Sequence, residues 1–199
     1  SGDTELWKSD GTDAATERVA DLWVGDSSSP SELTVFNGFL YFSAENENGI
    51  ELWKSDGSAA GTQMLKNLDA SSDSSNPDYF VVTDEQLFFF TESGSTASLW
   101  ATDGTESGTT LLAEDFGYLR PEDTSGFPGP GTRAQYPTVI NSALSRIIFC
   151  AYSDDFGYEL WTSDGTEEGT QMLFELNDDG NGCYQPGGMV IELPPVDEM

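Results

Sequence analysis

The sequence predicts an all-β protein of the β-propeller type, with about four blades of four antiparallel strands and an incomplete terminal blade. Three observations predict it. An octapeptide signature recurs four times, the copies lie roughly 45–50 residues apart except where an insertion lengthens one interval, and each interval holds four short strands. The first copy reads Glu5-Leu6-Trp7-Lys8-Ser9-Asp10-Gly11-Thr12, and the others occupy residues 51–58, 98–105 and 159–166. Their tryptophans, Trp7, Trp53, Trp100 and Trp161, are spaced by 46, 47 and 61 residues. A threonine follows each copy at fixed distance (Thr16, Thr62, Thr109, Thr170). Glycine precedes it in three copies (Gly61, Gly108, Gly169) and Ala15 in the first.

One period, from Leu33 to Asp78, illustrates the strand reading. Residues 33–36 form the first strand and end at Asn37-Gly38, a dipeptide suited to the positive φ angles of a tight hairpin. Residues 39–44 form the second strand, apolar almost throughout, with counterparts at 87–90 and 146–150. A strand without polar alternation is covered on both faces, as a blade between neighbours would be. The signature itself is the third strand, and residues 63–68 and 171–176 supply fourth strands. Loops rich in Ser, Pro, Asp and Gly (27–30, 71–77, 178–188) lead into the next unit. No helical periodicity is present.

The whole chain, 1–199, reads as one repeat domain with an insertion at 116–136. The first copy holds only a third and a fourth strand, and Met189-Val190-Ile191-Glu192-Leu193 reads as the first strand of a further unit. The expectation is a processed chain or a piece of a longer one, or a blade completed by another molecule. An unpaired edge beside the N-terminal strands would be adhesive unless covered.

Composition narrows the function. The net charge of −29, from 36 acidic and 7 basic residues, opposes binding to nucleic acid or anionic membranes. No apolar run is long enough for a membrane-spanning helix. The absence of histidine removes His-based acid–base chemistry and His-ligated zinc. Two cysteines, Cys150 and Cys183, are too far apart for a Cys-x-x-Cys motif. They are either one disulfide, which would indicate an oxidising compartment, or two buried thiols.

These signatures resemble the tandem ELWxTDGTxxGT repeats of large secreted or surface proteins, and the resemblance covers nearly the whole chain. It implies a propeller-like fold, an extracellular or cell-surface setting and a scaffold or adhesion role, with no activity attached. The signature also resembles the Asp-box hairpin of sialidase-type propellers. This chain lacks the tryptophan that follows the Asp-box threonine, so that kinship is architectural.

Each candidate residue carries two readings. Asp10, Asp56, Asp103 and Asp164 are either repeated Ca²⁺ ligands or turn-formers whose carboxylates accept backbone N–H bonds of their own loops. One carboxylate per loop is few for calcium, which favours the turn. Trp7, Trp53, Trp100 and Trp161 are either sugar-stacking platforms or packing between blades, and their fixed register favours packing. Among denser acidic groups (Glu45 with Glu47, Asp154-Asp155, Asp178-Asp179), the loop of Asp178, Asp179 and Asn181 is the best single Ca²⁺ candidate. In the insertion, Tyr118, Arg120, Phe127, Arg133 and Tyr136 are candidates for binding an acidic neighbour or a glycan, or else an ordinary long loop. No acid pair stands out as a glycosidase couple. The expected function is therefore a non-enzymatic structural or adhesive module whose partners are copies of itself or other extracellular proteins. A carbohydrate- or calcium-binding module is the alternative, and a glycoside hydrolase the remote one.

Overall fold

The computed structural model describes residues 4–69, 74–93, 96–117, 138–153 and 155–174. Within them the protein is all-β, every strand pairing is antiparallel, and no sheet closes on itself. The first unit is the pair β1 (Trp7–Lys8) and β2 (Glu17–Arg18). The second is a four-stranded sheet in chain order: β3 (Ser31–Phe36), β4 (Phe39–Asn46), β5 (Gly49–Ser55) and β6 (Gln63–Lys66). The third comprises β7 (Asp78–Val82), β8 (Leu87–Ser93), β9 (Thr96–Thr102) and β10 (Thr109–Gly117). The fourth comprises β11 (Thr138–Asn141), β12 (Arg146–Ser153), β13 (Gly157–Ser163) and β14 (Gln171–Phe174). The third and fourth units join through one residue pair, Gly117 with Tyr152.

Local sequence explains the hairpins. Asn37 and Gly38 both have positive φ (48° and 78°), the geometry that lets two residues reverse the chain between β3 and β4. Outside the strands, the described helical structure is limited to two short 3-10 turns, Asp13–Ala15 and Ser142–Leu144.

The core lies between successive units, in three clusters. Leu6 and Val19 of the first unit meet Phe42, Ala44 and Trp53 of the second. Phe36, Tyr41, Leu52 and Leu65 of the second meet Leu87 and Phe89 of the third, with Trp100 packed against them. Phe88, Phe90, Leu99, Leu112 and Phe116 of the third meet Ile147 and Phe149 of the fourth, with Trp161 alongside. The second and third units thus turn their tryptophan face toward the unit before and their signature leucine toward the unit after. That is the period-2 alternation of a strand buried on both sides. Phe116 closes this last interface from the end of β10, so the interval read as an insertion from 116 begins inside a core strand.

A register shift recurs where the signature strand meets the strand after it. Trp53 pairs with Met64 while Leu52 pairs with Lys66, which leaves Leu65 bulged; Leu112 and Leu173 occupy the same place in the third and fourth units. The extra residue breaks the alternation, so that two consecutive side chains, Leu65 and Lys66, both turn toward the third unit. Met64 packs toward the first unit and Leu65 toward the third.

Candidate functional site

The signature turn is built identically four times. Asp10, Asp56, Asp103 and Asp164 each accept, through Oδ1, the backbone N–H two residues on (3.0, 2.8, 2.8 and 3.0 Å). The same oxygen accepts the hydroxyl of that residue at 2.8, 2.7, 2.7 and 2.7 Å. Those hydroxyls accept in turn from the N–H of Gly61, Gly108 and Gly169 at 3.0, 2.9 and 2.9 Å. In the first copy the donor is Ala15, at a longer 3.3 Å. A side chain at any of the three glycines would overlap the aspartate carboxyl, which explains the glycine of the motif. Behind the turn, Ser9–Thr16, Ser55–Thr62, Thr102–Thr109 and Ser163–Thr170 are hydroxyl pairs at 2.7 Å. The side-chain hydroxyl bond and then the backbone bond hold the Asp10, Asp56 and Asp103 carboxyls below the usual aspartate range. Among the described residues no group of three or more acidic or cysteine side chains is placed to hold a metal ion.

The glutamate that opens the signature received no role in the sequence reading, and the structure gives it one. Glu51 is fully buried; its carboxylate accepts the Leu68 N–H (2.9 Å), the Ser75 N–H (3.3 Å) and the Ser75 hydroxyl (2.7 Å). Glu5 repeats this with the Leu22 N–H, the Ser28 N–H and the Ser28 hydroxyl (3.5, 3.4 and 2.7 Å). Burial raises the Glu51 carboxyl above the ordinary glutamate range, against the pull of these bonds. The serines belong to the loops that lead to the next unit, and their carbonyls then accept Glu45 N–H (2.8 Å) and Glu92 N–H (3.1 Å). One buried acid therefore ties a unit to its successor. The usable signal was the Ser-x-Pro triplet (Ser28 to Pro30, Ser75 to Pro77) at near-constant distance from the glutamate.

Lysine adds a second tie. Lys8 donates to the Gly57 carbonyl at 2.9 Å and Lys54 to the Gly104 carbonyl at 2.8 Å, each reaching the turn of the following unit. Lys54 also sits 4.0 Å over the Phe39 ring. The third and fourth copies carry Ala101 and Thr162 instead.

The tryptophans divide. Trp53 and Trp100 stack on their cross-strand partners Phe42 and Phe89, with centroids 6.4 and 6.3 Å apart and interplanar angles of 25° and 11°. Trp161 meets Phe116 edge-on at 5.1 Å. The Trp53 indole donates to the Ala44 carbonyl at 2.9 Å. Trp7 departs from the expectation of packing between units: it is 58% exposed, against 6% for Trp53.

Between the second and third units Glu32, Asp78, Glu92, Asn76, Ser31 and Ser43 line a cavity of about 280 Å³. Much of Glu32 is solvent-exposed while its carboxyl end turns into this cavity. Partial desolvation first, then the charge and hydrogen bond of Asp78, raise its carboxyl. Cys150 is buried and disulfide-bonded. Cys183 lies outside the described residues, as do Tyr118, Arg120, Phe127, Arg133 and Tyr136 and the proposed calcium ligands Asp178, Asp179 and Asn181.

No family model matches the chain, and no curated protein matches it. A solved structure from a structural and mechanistic analysis of two prolyl endopeptidases superposes with a TM-score of 0.45 at 11% identity, covering 71% of this chain and 19% of that one. The chain spans less than a fifth of that protein, and no residue role is carried over from it. Among the described residues no helix is long and apolar enough to cross a membrane.

Proposed function

We propose that the chain is a non-enzymatic structural or adhesive module of an extracellular or cell-surface protein, built as stacked propeller-like blades, four in this chain, and working by contact with further units of its own kind. The observation that carries this reading is the contrast among the signature residues. Their aspartate carboxylates and turn hydroxyls are spent on their own turns, whereas their apolar side chains make the contacts between units. A surface engaged by the same chemistry at three successive junctions, and open at Trp7, suits assembly. The disulfide at Cys150 supports an oxidising environment.

Light scattering on the native chain over a range of concentration and salt tests the assembly. Screening a net charge of −29 is expected to strengthen self-association as salt rises. A protein that stays monomeric at every concentration and salt, with no extracellular protein retained on it, sinks the reading.

A further inference from the structure

We propose that β1 is an acceptor edge for one further antiparallel strand, and that the strand it accepts is apolar with an aromatic side chain opposite Trp7, the chemistry of Phe39–Asn46. The proposal rests on the stacked-unit reading and adds to it the edge, the register and the chemistry of the partner.

The three full units supply the template. In every full unit the signature strand is flanked on one side by the bulged strand that follows it, and on the other by a strongly apolar strand: β4, β8 or β12. The register is the same each time, with Phe42 opposite Trp53, Phe89 opposite Trp100 and Phe149 opposite Trp161. In the first unit β2 is in place, Val19 donates to the Leu6 carbonyl at 2.8 Å, and the buried face packs normally on the second unit. Among the described residues nothing pairs with the other edge of β1.

The consequences of that open edge are visible in two places. Residues 5–11 and 51–57 are the same heptapeptide, yet β5 runs for seven residues and β1 for two. A strand hydrogen-bonded on one side only keeps fewer of its backbone groups satisfied by the sheet. Across from it, Leu33 and Val35 on β3 are 55% and 69% exposed. Val35 pairs with Leu40, which packs toward the first unit, so these side chains face the ground beside β1. The counterpart of Leu33 in the third unit, Phe80, packs against Phe89, 5.7 Å between centroids, and joins the interface with the second unit. An added strand beside β1 would shield Trp7 and cover this patch together. Main-chain bonds would supply affinity, and the aromatic opposite Trp7 would supply register.

The test uses a synthetic octapeptide with the sequence of residues 39–46, FLYFSAEN, added to the intact chain, with a scrambled octapeptide as control. Hydrogen exchange is expected to slow over Leu6–Lys8, and tryptophan emission to shift to the blue. The emission shift should disappear in Trp7→Ala, a change at an exposed side chain. A fusion carrying the same octapeptide on a Gly/Ser linker ahead of Ser1 removes peptide solubility as a factor. Unchanged exchange over Leu6–Lys8 with both the free and the fused octapeptide overturns the proposal, and equal protection by the scrambled peptide overturns its aromatic register. Protection that grows with protein concentration and without peptide supports it, the donor then being a second copy. Self-association that leaves β1 unprotected keeps the assembly reading and sinks this one; protection by peptide in a strictly monomeric chain does the reverse.

Discussion

The heptapeptide Glu-Leu-Trp-Lys-Ser-Asp-Gly occurs twice, at 5–11 and 51–57, and the two copies live differently. Their turns are the same to within a few tenths of an ångström, and each buries its glutamate on a linker serine. Each sends its lysine to the next unit's turn. What differs is whatever depends on a neighbour across the sheet or in front of it: strand length and tryptophan burial. Hydrogen bonds closed within about ten residues are indifferent to context. Burial of a large side chain belongs to the pair of surfaces, not to the residue.

The largest expected effect breaks this comparison at the tryptophans. Trp53→Ala should cost about 3–5 kcal/mol, since it empties a packed interface and removes the indole bond to the Ala44 carbonyl, whereas Trp7→Ala should change stability by less than about 0.5 kcal/mol. Urea unfolding of both variants measures the difference, and equal losses would mean that Trp7 is buried in solution. Next come the turns. Gly61→Ala forces a methyl group into the Asp56 carboxyl and should cost about 1–3 kcal/mol. Ala15→Gly, where the loop already accommodates a side chain, should stay within about 0.5 kcal/mol. Thermal midpoints of the two variants check this; a neutral Gly61→Ala would show that the turn relaxes freely.

The smallest effect concerns pH, where the two kinds of acid have opposite signs. The depressed Asp10, Asp56 and Asp103 carboxyls contribute stability that is present above the ordinary aspartate value of about 3.9 and is lost as pH falls through their lower folded values. The raised Glu32 and Glu51 carboxyls contribute stability that is fully present below the ordinary glutamate value and is lost as pH rises through their folded values. Stability should therefore peak in the mildly acidic range. Glu32→Gln, which removes the charge facing Asp78, should raise the melting midpoint at pH 7 and leave it unchanged below the glutamate range. An equal shift at both pH values would assign the effect to packing.

Much of this fold was legible. Asn37-Gly38, the apolar strand 39–44 and the signature each specify their conformation through local rules, and the structure has the turn and the two strands at those places. The roles of the aspartate and glycine in the turn were legible too, because their bonds span only a few residues. The glutamate clamp was not. Glu51 reaches Ser75 across 24 residues, and no local rule distinguishes it from the other acids of a strongly acidic chain. The bulge was half visible: Met64-Leu65 and Leu111-Leu112 break the alternation, but a break in periodicity does not say which side chain turns to which face.

Sequence alone determined the unit: its four strands, its turn chemistry and its repetition, all set by backbone preferences and bonds within one hairpin. Tertiary structure decided what each copy of the unit does. Which tryptophan is core and which is surface, which glutamate sits dry, and which edge stands open depend on the neighbouring sheet. The same heptapeptide encodes both outcomes because desolvation is a property of two surfaces brought together.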